Sequence, residues 1–374
     1  MHTKLDNNHK AFFALLKAGL WETETRLSPY DQIDFSAIYH VASQQRVVGL
    51  VAAGLEHVVD VKVPQEETVP FMGDSLKLEQ HNSDMNHFIA KLFKVFNKNN
   101  VFMLLVKGQG IAQCYERPLW RTCGDIDLLL DEADFPSARW NLSKKASSIH
   151  EEDDGRLHVA FAMGPWVVEL HGTLKHRFFP RVNKVLCETQ EEVLRQKKVR
   201  LWNNDGVDVP LPAPDEDVLF VFSHILEHFF EKGIGLRQIC DWCRLLYTYR
   251  DTLDRDLLEQ RLTRMGLISE WKAFAAFAVN ELDMPSAYMP FLSPDARWRK
   301  KSSRILSHTL KYGNFGQNLD SAYIFNAPFL KKKIISFERM IGEILRQLSI
   351  FPKDCITICY YRTVDGIKRA IRGE

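Results

Sequence analysis

The stretch Arg121-Thr-Cys-Gly-Asp-Ile-Asp-Leu-Leu-Leu130 decides the fold. Successive side chains of a strand point to opposite faces, so Asp125 and Asp127 share one face while the apolar residues that alternate with them point into a core. Neighbouring like charges repel, and a divalent cation is the usual reason for a protein to hold two carboxylates side by side. Gly124 leaves space in front of them for a ligand to approach. The stretch therefore predicts a buried strand with a metal site on one face.

Apolar runs on either side of this strand predict a small sheet around it. The turn Lys107-Gly-Gln-Gly110 ends the first run, and Gly164-Pro165 joins the last two as a hairpin. The predicted strands cover residues 101–106, 157–163 and 166–171, and the predicted helices cover residues 111–115 and begin near Pro136. Strands mixed with helices over a short length indicate a compact α+β core.

The last predicted strand adds a third acid to the pair. Glu169 and His171 share one face of that strand, while the apolar residues that alternate with them face the core. An acid at this place, 42 residues after Asp127, completes a three-carboxylate set. Such a set suits two Mg²⁺ ions roughly 4 Å apart.

Helical periodicity dominates both flanks of this core. Residues 8–98 carry apolar residues at helical spacing, and the polar segment near 60–75 predicts a break between a leading bundle and a long helix. The predicted helices after Pro180 cover residues 218–230, 236–247, 257–265 and 270–282. We therefore divide the chain into an N-terminal helical region (1–75), the core (76–180) and a mainly helical C-terminal domain with a basic tail (181–374).

The composition excludes several classes of protein. The 374 residues are 45% hydrophobic and 26% charged, which is typical of a folded globular chain. A formal net charge of +1 argues against a large surface for nucleic acid. No apolar run is long enough to span a bilayer, and the N-terminus lacks the apolar stretch of a signal peptide, so a cytoplasmic protein is expected. Seven scattered cysteines indicate reduced thiols, and the Cys240-x-x-Cys243 pair is expected in the core rather than on zinc.

Four segments between residues 105 and 171 resemble the signature of a known family. They are Leu105-Val-Lys-Gly108, Tyr115, Arg121-Thr-Cys-Gly-Asp-Ile-Asp-Leu-Leu129 and Val168-Glu-Leu-His171. Together they resemble the uncharacterised nucleotidyltransferase family within the DNA polymerase β superfamily. The resemblance implies a polymerase-β-like core, a small mixed sheet with helices, flanked by helical regions at both ends.

The resemblance also implies roles for individual residues. In that superfamily the glycine turn after the first strand holds nucleotide phosphates, which points to Gly108. The D-x-D pair binds Mg²⁺, which points to Asp125 and Asp127, and a third acid completes the metal site, which points to Glu169. The wider superfamily favours Gly-Ser at the phosphate turn, whereas this chain has Lys107-Gly108.

Four more residues are candidates for contacts to the substrate. Lys107 and Arg121 each offer a cation to the phosphates, with local pairing to acids as the alternative. Gly124 permits close approach of the substrate. His171 either lines the site or makes an ordinary hydrogen bond.

The activity implied by the resemblance is Mg²⁺-dependent transfer of a nucleoside monophosphate from an NTP such as ATP to an acceptor, with release of pyrophosphate. A small-molecule acceptor is favoured over nucleic acid because the core lacks a basic groove interleaved with aromatic residues. The alternative is a non-catalytic nucleotide-binding or antitoxin-like regulatory protein that retains the fold. A protein partner is left open.

Two other patterns suggest different functions. His224-Ile-Leu-Glu-His228 matches the H-x-x-E-H pattern of zinc hydrolases, but its apolar surroundings predict a core helix with packed histidines. In the resembling family a histidine-bearing helix precedes one with Arg and Asp, here Arg237 and Asp241, which either face the cleft or form an i, i+4 ion pair. Lys331-Lys-Lys333 opens an amphipathic basic helix, for which a solvated face is favoured over binding of RNA, an acidic partner or a membrane surface.

Overall fold

The computed structural model describes residues 5–151, 157–176, 179–231, 233–314, 341–342 and 344–372, with side chains as far as residue 364. The basic segment Lys331-Lys-Lys333 lies outside the described residues. Four helices precede the sheet, and their bounds are α1 (Asn7–Trp21), α2 (Phe35–Gln44), α3 (Val48–Glu56) and α4 (Gln65–Lys98). The side chains of Asp6 and Asp34 cap α1 and α2 by accepting hydrogen bonds from backbone N–H groups of the first turn.

Helix α4 begins earlier than the sequence predicts. It runs for 34 residues from Gln65, so most of the polar segment near 60–75 is helical. Pro70 lies inside this helix, which loses one backbone hydrogen bond there. The break between the leading helices and the long helix is therefore confined to residues 57–64.

The core is a five-stranded mixed sheet with the order β1-β2-β5-β4-β3. Strands β2 and β5 are parallel, and every other neighbouring pair is antiparallel. Short helices α5 (Gly108–Ala112) and α6 (Phe135–Ser143) follow β1 and β2. The strands are β1 (Leu104–Val106), β2 (Asp125–Leu129), β3 (Ser148–Glu151), β4 (His158–Met163) and β5 (Trp166–His171). The predicted α+β core is present, with β3 as an edge strand that the sequence did not predict.

A second sheet, which the sequence did not predict, lies within the mainly helical region after Pro180. Strands β6 (Val199–Asn204) and β7 (Val207–Pro212) form an antiparallel hairpin. Its turn is Asp205-Gly206, and both residues have positive φ, at 51° and 71°, as a tight two-residue hairpin requires. The buried side chains of β7 join α4 and the apolar face of the main sheet in one hydrophobic cluster.

Helices on both sides of the core share a second hydrophobic cluster. It joins side chains of α1 to α3, such as Phe12 and Val51, to side chains of the C-terminal helices, such as Trp242 and Phe274. The indole of Trp21 donates a hydrogen bond of 2.6 Å to the carbonyl oxygen of Leu282 across this contact. The C-terminal helices are α7 (Pro180–Gln196), α8 (Pro214–Glu231), α9 (Leu236–Thr248), α10 (Arg255–Met265), α11 (Ile268–Leu282), α12 (Ala296–Tyr312) and α13 (Pro352–Arg372).

The cysteines lie where the sequence predicts them. All seven cysteines are free thiols, and Cys240 and Cys243 are fully buried in α9. Within the described part of the chain, every helix is too short or too polar to span a bilayer.

Candidate active site

A cavity of about 680 Å³ lies between the polar face of the main sheet and helices α8 and α9. The opposite, apolar face of the sheet packs against α4, so only one face of the strands is open to a ligand. All eight site residues predicted from the sequence line this cavity: Lys107, Gly108, Arg121, Gly124, Asp125, Asp127, Glu169 and His171.

Strand register brings the three acids together. In the parallel pair of β2 and β5, Asp127 lies directly opposite Glu169, and Asp125 lies two residues before Asp127 on the same face. Asp127 is buried, with 3% of its surface exposed, and Glu169 is half-buried. Asp125 is exposed to the open space of the cavity, although surrounding protein atoms partly desolvate its carboxyl group.

Lys107 reaches the acids from the turn between β1 and α5. Its ammonium Nζ lies 3.1 Å from Oδ1 of Asp127. Lys107 and Gly108 have positive φ, at 58° and 42°, and this conformation is strained for a lysine. A Cβ at position 108 would lie 3.3 Å from Sγ of Cys123 and 3.4 Å from the carbonyl oxygen of Asp125. The turn is therefore held tightly against β2, with the ammonium aimed at the acids.

Two histidines complete the polar cluster. His171 Nε2 lies 2.8 Å from Oδ1 of Asp127 and 3.6 Å from Oε2 of Glu169. His158 Nε2 lies 3.1 Å from Oε2 of Glu169. The two imidazoles stack, with ring centroids 4.7 Å apart and planes 20° apart. His158 was missed from the sequence, although counting back across the Gly164-Pro165 turn places it opposite His171.

Of the three acids in the cluster, Asp125 has the least compensation of its negative charge by neighbouring cations and hydrogen-bond donors. Asp127 above all, and then burial and Glu169, raise the pKa of Asp125. Burial opposes ionisation of Asp127, but Lys107 and His171 outweigh it and lower the pKa of Asp127. Burial likewise opposes ionisation of Glu169, but the hydrogen bonds to His158 and His171 lower its pKa.

The pKa values of the two basic residues in the cluster, Lys107 and His171, are raised by the neighbouring acids. Burial lowers the pKa of Lys107, but the three carboxylates outweigh burial and raise it. The pKa of His171 is raised in the same way, because its hydrogen bonds to Asp127 and Glu169 exceed the effect of burial. Three carboxylates therefore face one ammonium group and one imidazole whose pKa is raised.

Arg121 is held by a partner in the C-terminal helices. Its guanidinium makes two hydrogen bonds to Asp241 of α9, at 2.9 and 2.6 Å, and both side chains are buried. Tyr115 donates a hydrogen bond of 2.8 Å to the same carboxylate, and Arg237 lies 3.7 Å from it. Arg121 is thus paired with a distant acid of α9, Asp241, instead of with the neighbouring acids of β2 as the alternative for it expected. Arg237 and Asp241 both form an i, i+4 pair and line the cavity.

His224 and His228 lie on the cavity wall instead of deep in the core. Their Nε2 atoms are 3.0 Å apart. Burial, reinforced by Lys107 and His228, lowers the pKa of His224 well below its usual range, so this imidazole is neutral. Among the described residues neither histidine belongs to a group of three metal donors, whereas His158, Glu169 and His171 form such a group.

The fold and the site together define a class of protein. A mixed sheet that presents a D-x-D strand beside a third acid, in a cavity closed by helices, is the arrangement implied by the sequence resemblance. The chain belongs to the uncharacterised nucleotidyltransferase family, whose sequence model matches residues 31–279. Membership indicates nucleotidyl transfer from an NTP in general, and it confirms the nucleotidyltransferase core with flanking helical regions.

Comparison with solved structures finds a similar chain, an antigenic nucleotidyltransferase-like protein from Paracoccidioides brasiliensis. The two share 12% sequence identity with a TM-score of 0.34, over 56% of this chain and 94% of the other. No curated protein matches the sequence.

Proposed function

We propose that the protein transfers a nucleoside monophosphate from an NTP to a small-molecule acceptor in an Mg²⁺-dependent reaction. The observation that carries this proposal is the register of β2 and β5, which sets Asp127 opposite Glu169 with Asp125 on the same face. Lys107 adds a cation at the same place, 3.1 Å from Asp127. Carboxylates and an ammonium around one cavity suit a metal-bound triphosphate.

The donor set fits magnesium. Asp125, Asp127 and Glu169 offer carboxylate oxygens, which are the ligands that Mg²⁺ prefers. Their negative charge would be neutralised by a divalent cation, and Asp125 is the acid that gains most from one. When bound, a pair of Mg²⁺ ions supplies charge neutralisation for the triphosphate and for the attacking hydroxyl.

Each residue of the cluster has a distinct task in this proposal. Asp125 and Asp127 would hold the metal, and His171, with Nε2 at 2.8 Å from Asp127, lines the site beside them. Lys107 exchanges its contact to Asp127 for one to a substrate phosphate. Glu169 serves as a ligand, because a carboxyl with a lowered pKa stays ionised and is a weak acceptor of protons. The oxygen of the acceptor hydroxyl bonds to the α-phosphorus, its proton leaves to solvent, and the bond from that phosphorus to pyrophosphate breaks.

The shape of the site supports a small acceptor. The cavity is enclosed by α8 and α9 on the side opposite the sheet, and its volume of about 680 Å³ is that of a small-molecule site. An acceptor approaching the acids meets His224 and His228 on the facing helix. A formal net charge of +1 gives the molecule as a whole little electrostatic attraction for a polynucleotide.

Labelled nucleotides test the proposal directly. The protein is incubated with Mg²⁺, a small-molecule extract and an NTP that carries ³²P at the α or at the γ position. Transfer of the α label alone, abolished by Asp125→Asn and kept by the exposed control Glu132→Gln, supports nucleotidyl transfer. Transfer of the γ label would refute it. Binding of the NTP without any transfer would support the non-catalytic alternative.

A further inference from the structure

Imidazole nitrogens and a carboxylate oxygen converge beside the D-x-D pair. One donor atom of each of His158, Glu169 and His171 lies within 4.8 Å of the donor atoms of the other two. Nε2 of both histidines faces Oε2 of Glu169. Oδ1 of Asp127 lies 2.8 Å from the His171 nitrogen, on the side of the cluster toward Asp125. The group is therefore continuous with the acid pair but differs from it in chemistry.

The spacing of these donors matches that of ligands around one cation. Two donors with metal bonds of about 2.1 Å lie about 3.0 Å apart at a right angle and about 3.4 Å apart at the tetrahedral angle. The separation between His158 and Glu169 is 3.1 Å, and that between His171 and Glu169 is 3.6 Å. Small shifts of the side chains suffice to place all three on one ion.

The sheet holds these donors in place. His158 on β4 pairs with His171 on β5, so both side chains leave the same face, and Glu169 shares that face two residues before His171. Ala160 lies opposite Glu169, and its methyl group leaves room for the His158 ring to reach the carboxylate. Stacking of the two imidazoles fixes their relative orientation. Donors on two paired strands form a more rigid site than donors on loops.

We propose that His158, Glu169 and His171 bind a divalent transition-metal ion of the Mn²⁺, Co²⁺ or Zn²⁺ class, next to the Asp125 and Asp127 pair. Imidazole is a good ligand for these ions, whereas Mg²⁺ prefers an all-oxygen set. Three protein donors on a cavity wall leave coordination positions for substrate oxygens, as in catalytic metal sites. The inference rests on the proposed function only in assigning this ion to one of the two metal positions there.

Binding of Mn²⁺ alone tests the site without any turnover. The full chain is stripped with EDTA and dialysed, and then one equivalent of Mn²⁺ is added. Pulsed electron paramagnetic resonance detects coupling of bound Mn²⁺ to ¹⁴N when an imidazole is a ligand. We expect ¹⁴N coupling in the wild type. Bound Mn²⁺ without ¹⁴N coupling, or no Mn²⁺ binding, would overturn the proposal even if no variant were made.

Two variants locate the donors. His158→Gln should weaken Mn²⁺ binding by about 10- to 100-fold, the range that loss of support around a ligand already produces. His40→Gln is the matched control, because it removes an exposed imidazole of α2 and should leave the affinity unchanged. Unchanged affinity in His158→Gln would assign Mn²⁺ to another site.

The result separates this inference from the proposed function. Transfer of the α label with Mg²⁺ as the sole metal, together with absent ¹⁴N coupling, would remove the inference and keep the function. Clear ¹⁴N coupling without transfer of label would keep the metal site and remove the function.

Discussion

Replacement of Asp125 by Asn tests whether this carboxylate serves function or stabilises the fold. In the wild type, Asp127 and then burial and Glu169 raise the pKa of Asp125. An acid with a raised pKa in the folded state lowers stability at pH values above its unfolded pKa. Asn keeps the shape and removes the charge. Without cation at pH 7, Asp125→Asn should therefore be at least as stable as the wild type, and any advantage should shrink as the pH falls toward 3.8.

Bound metal and nucleotide should make the wild type more stable to heat than Asp125→Asn. A bound ligand at a hundredfold excess over its Kd stabilises the folded state by about 2.7 kcal/mol. At an unfolding entropy of about 2.1 cal/mol/K per residue, this gain raises the Tm of the 374-residue chain by about 3 °C if it unfolds as one unit. Asp125→Asn should lose most of that rise, because it lacks the exposed ligand of the metal.

Thermal melts decide the question. Both proteins, and the control Glu132→Gln, are melted in EDTA, in Mg²⁺, and in Mg²⁺ with a non-hydrolysable NTP analogue. The reasoning would be refuted if Asp125→Asn lost more than about 2 kcal/mol without cation, the size expected for removal of a buried structural partner. Retention of the full rise in Tm with the analogue would refute it equally.

Three further outcomes are expected. Lys107→Met keeps approximately the length of the side chain but removes its charge. The binding free energy of an NTP, measured by calorimetry, should therefore become less favourable by about 1.5–3 kcal/mol. An unchanged Kd would show that Lys107 does not contact the phosphates. His224→Asn and His228→Asn should leave the metal content of the protein, measured by mass spectrometry, unchanged, because this pair belongs to no group of three donors among the described residues. Loss of one zinc per chain in either variant would contradict this. Burial, then the hydrogen bond with Asp354, raise the pKa of Glu270 to about 8, so the folded state holds a proton that the unfolded state releases. The contribution of Glu270 to the free energy of unfolding should therefore fall by about 1.4 kcal/mol per pH unit from about pH 5 to pH 8. In urea unfolding, the difference in stability between the wild type and Glu270→Gln should change with pH by that slope; parallel curves would exclude this role.

The strand that carries the acids could be predicted because its pattern is local. Alternation places Asp125 and Asp127 on one face, and the apolar residues between them identify the other face as buried. The hairpin of β4 and β5 was equally readable, since Gly164 supplies the positive φ of its turn. The parallel pairing of β2 with β5 was different. It joins strands separated by the whole β3–β4 segment. The strand pattern and the family resemblance both indicated Glu169 as the third acid, but neither predicted its register directly opposite Asp127.

Other elements were missed for identifiable reasons. Residues Ser148–Glu151 are all exposed, so β3 has no alternation and is defined only by its pairing with β4. The hairpin of β6 and β7 did carry a signal, because Asp205-Gly206 between alternating apolar residues is a strong hairpin pattern. The surrounding helical periodicity concealed it. Pro70 similarly suggested a break in a segment that is helical.

Contacts between distant residues explain the remaining gaps in the site. Arg121 and Asp241 are separated by 120 residues, so no local pattern could show that they form a buried pair. The contact of Lys107 to Asp127 depends on how the β1–α5 turn meets β2. His158 lies in the site because the register of β4 with β5 places it opposite His171. Residue types at a site can thus be predicted from sequence, whereas the partners of those residues depend on the tertiary fold.

The hydrophobic cluster shared by the N-terminal and C-terminal helices affects when a newly synthesised chain can complete its folding. Side chains of α1 to α3 are covered by helices as late as α11, where the Leu282 carbonyl accepts the hydrogen bond from Trp21. Synthesis of the residues between α3 and the end of α11 takes roughly 10–45 s at 5–20 residues per second. During that interval the nascent chain carries apolar helix faces without their cover, a state that protease digestion of arrested chains would detect. We therefore expect the part of α1 to α3 that the C-terminal helices cover to become resistant to protease only after α11 has emerged.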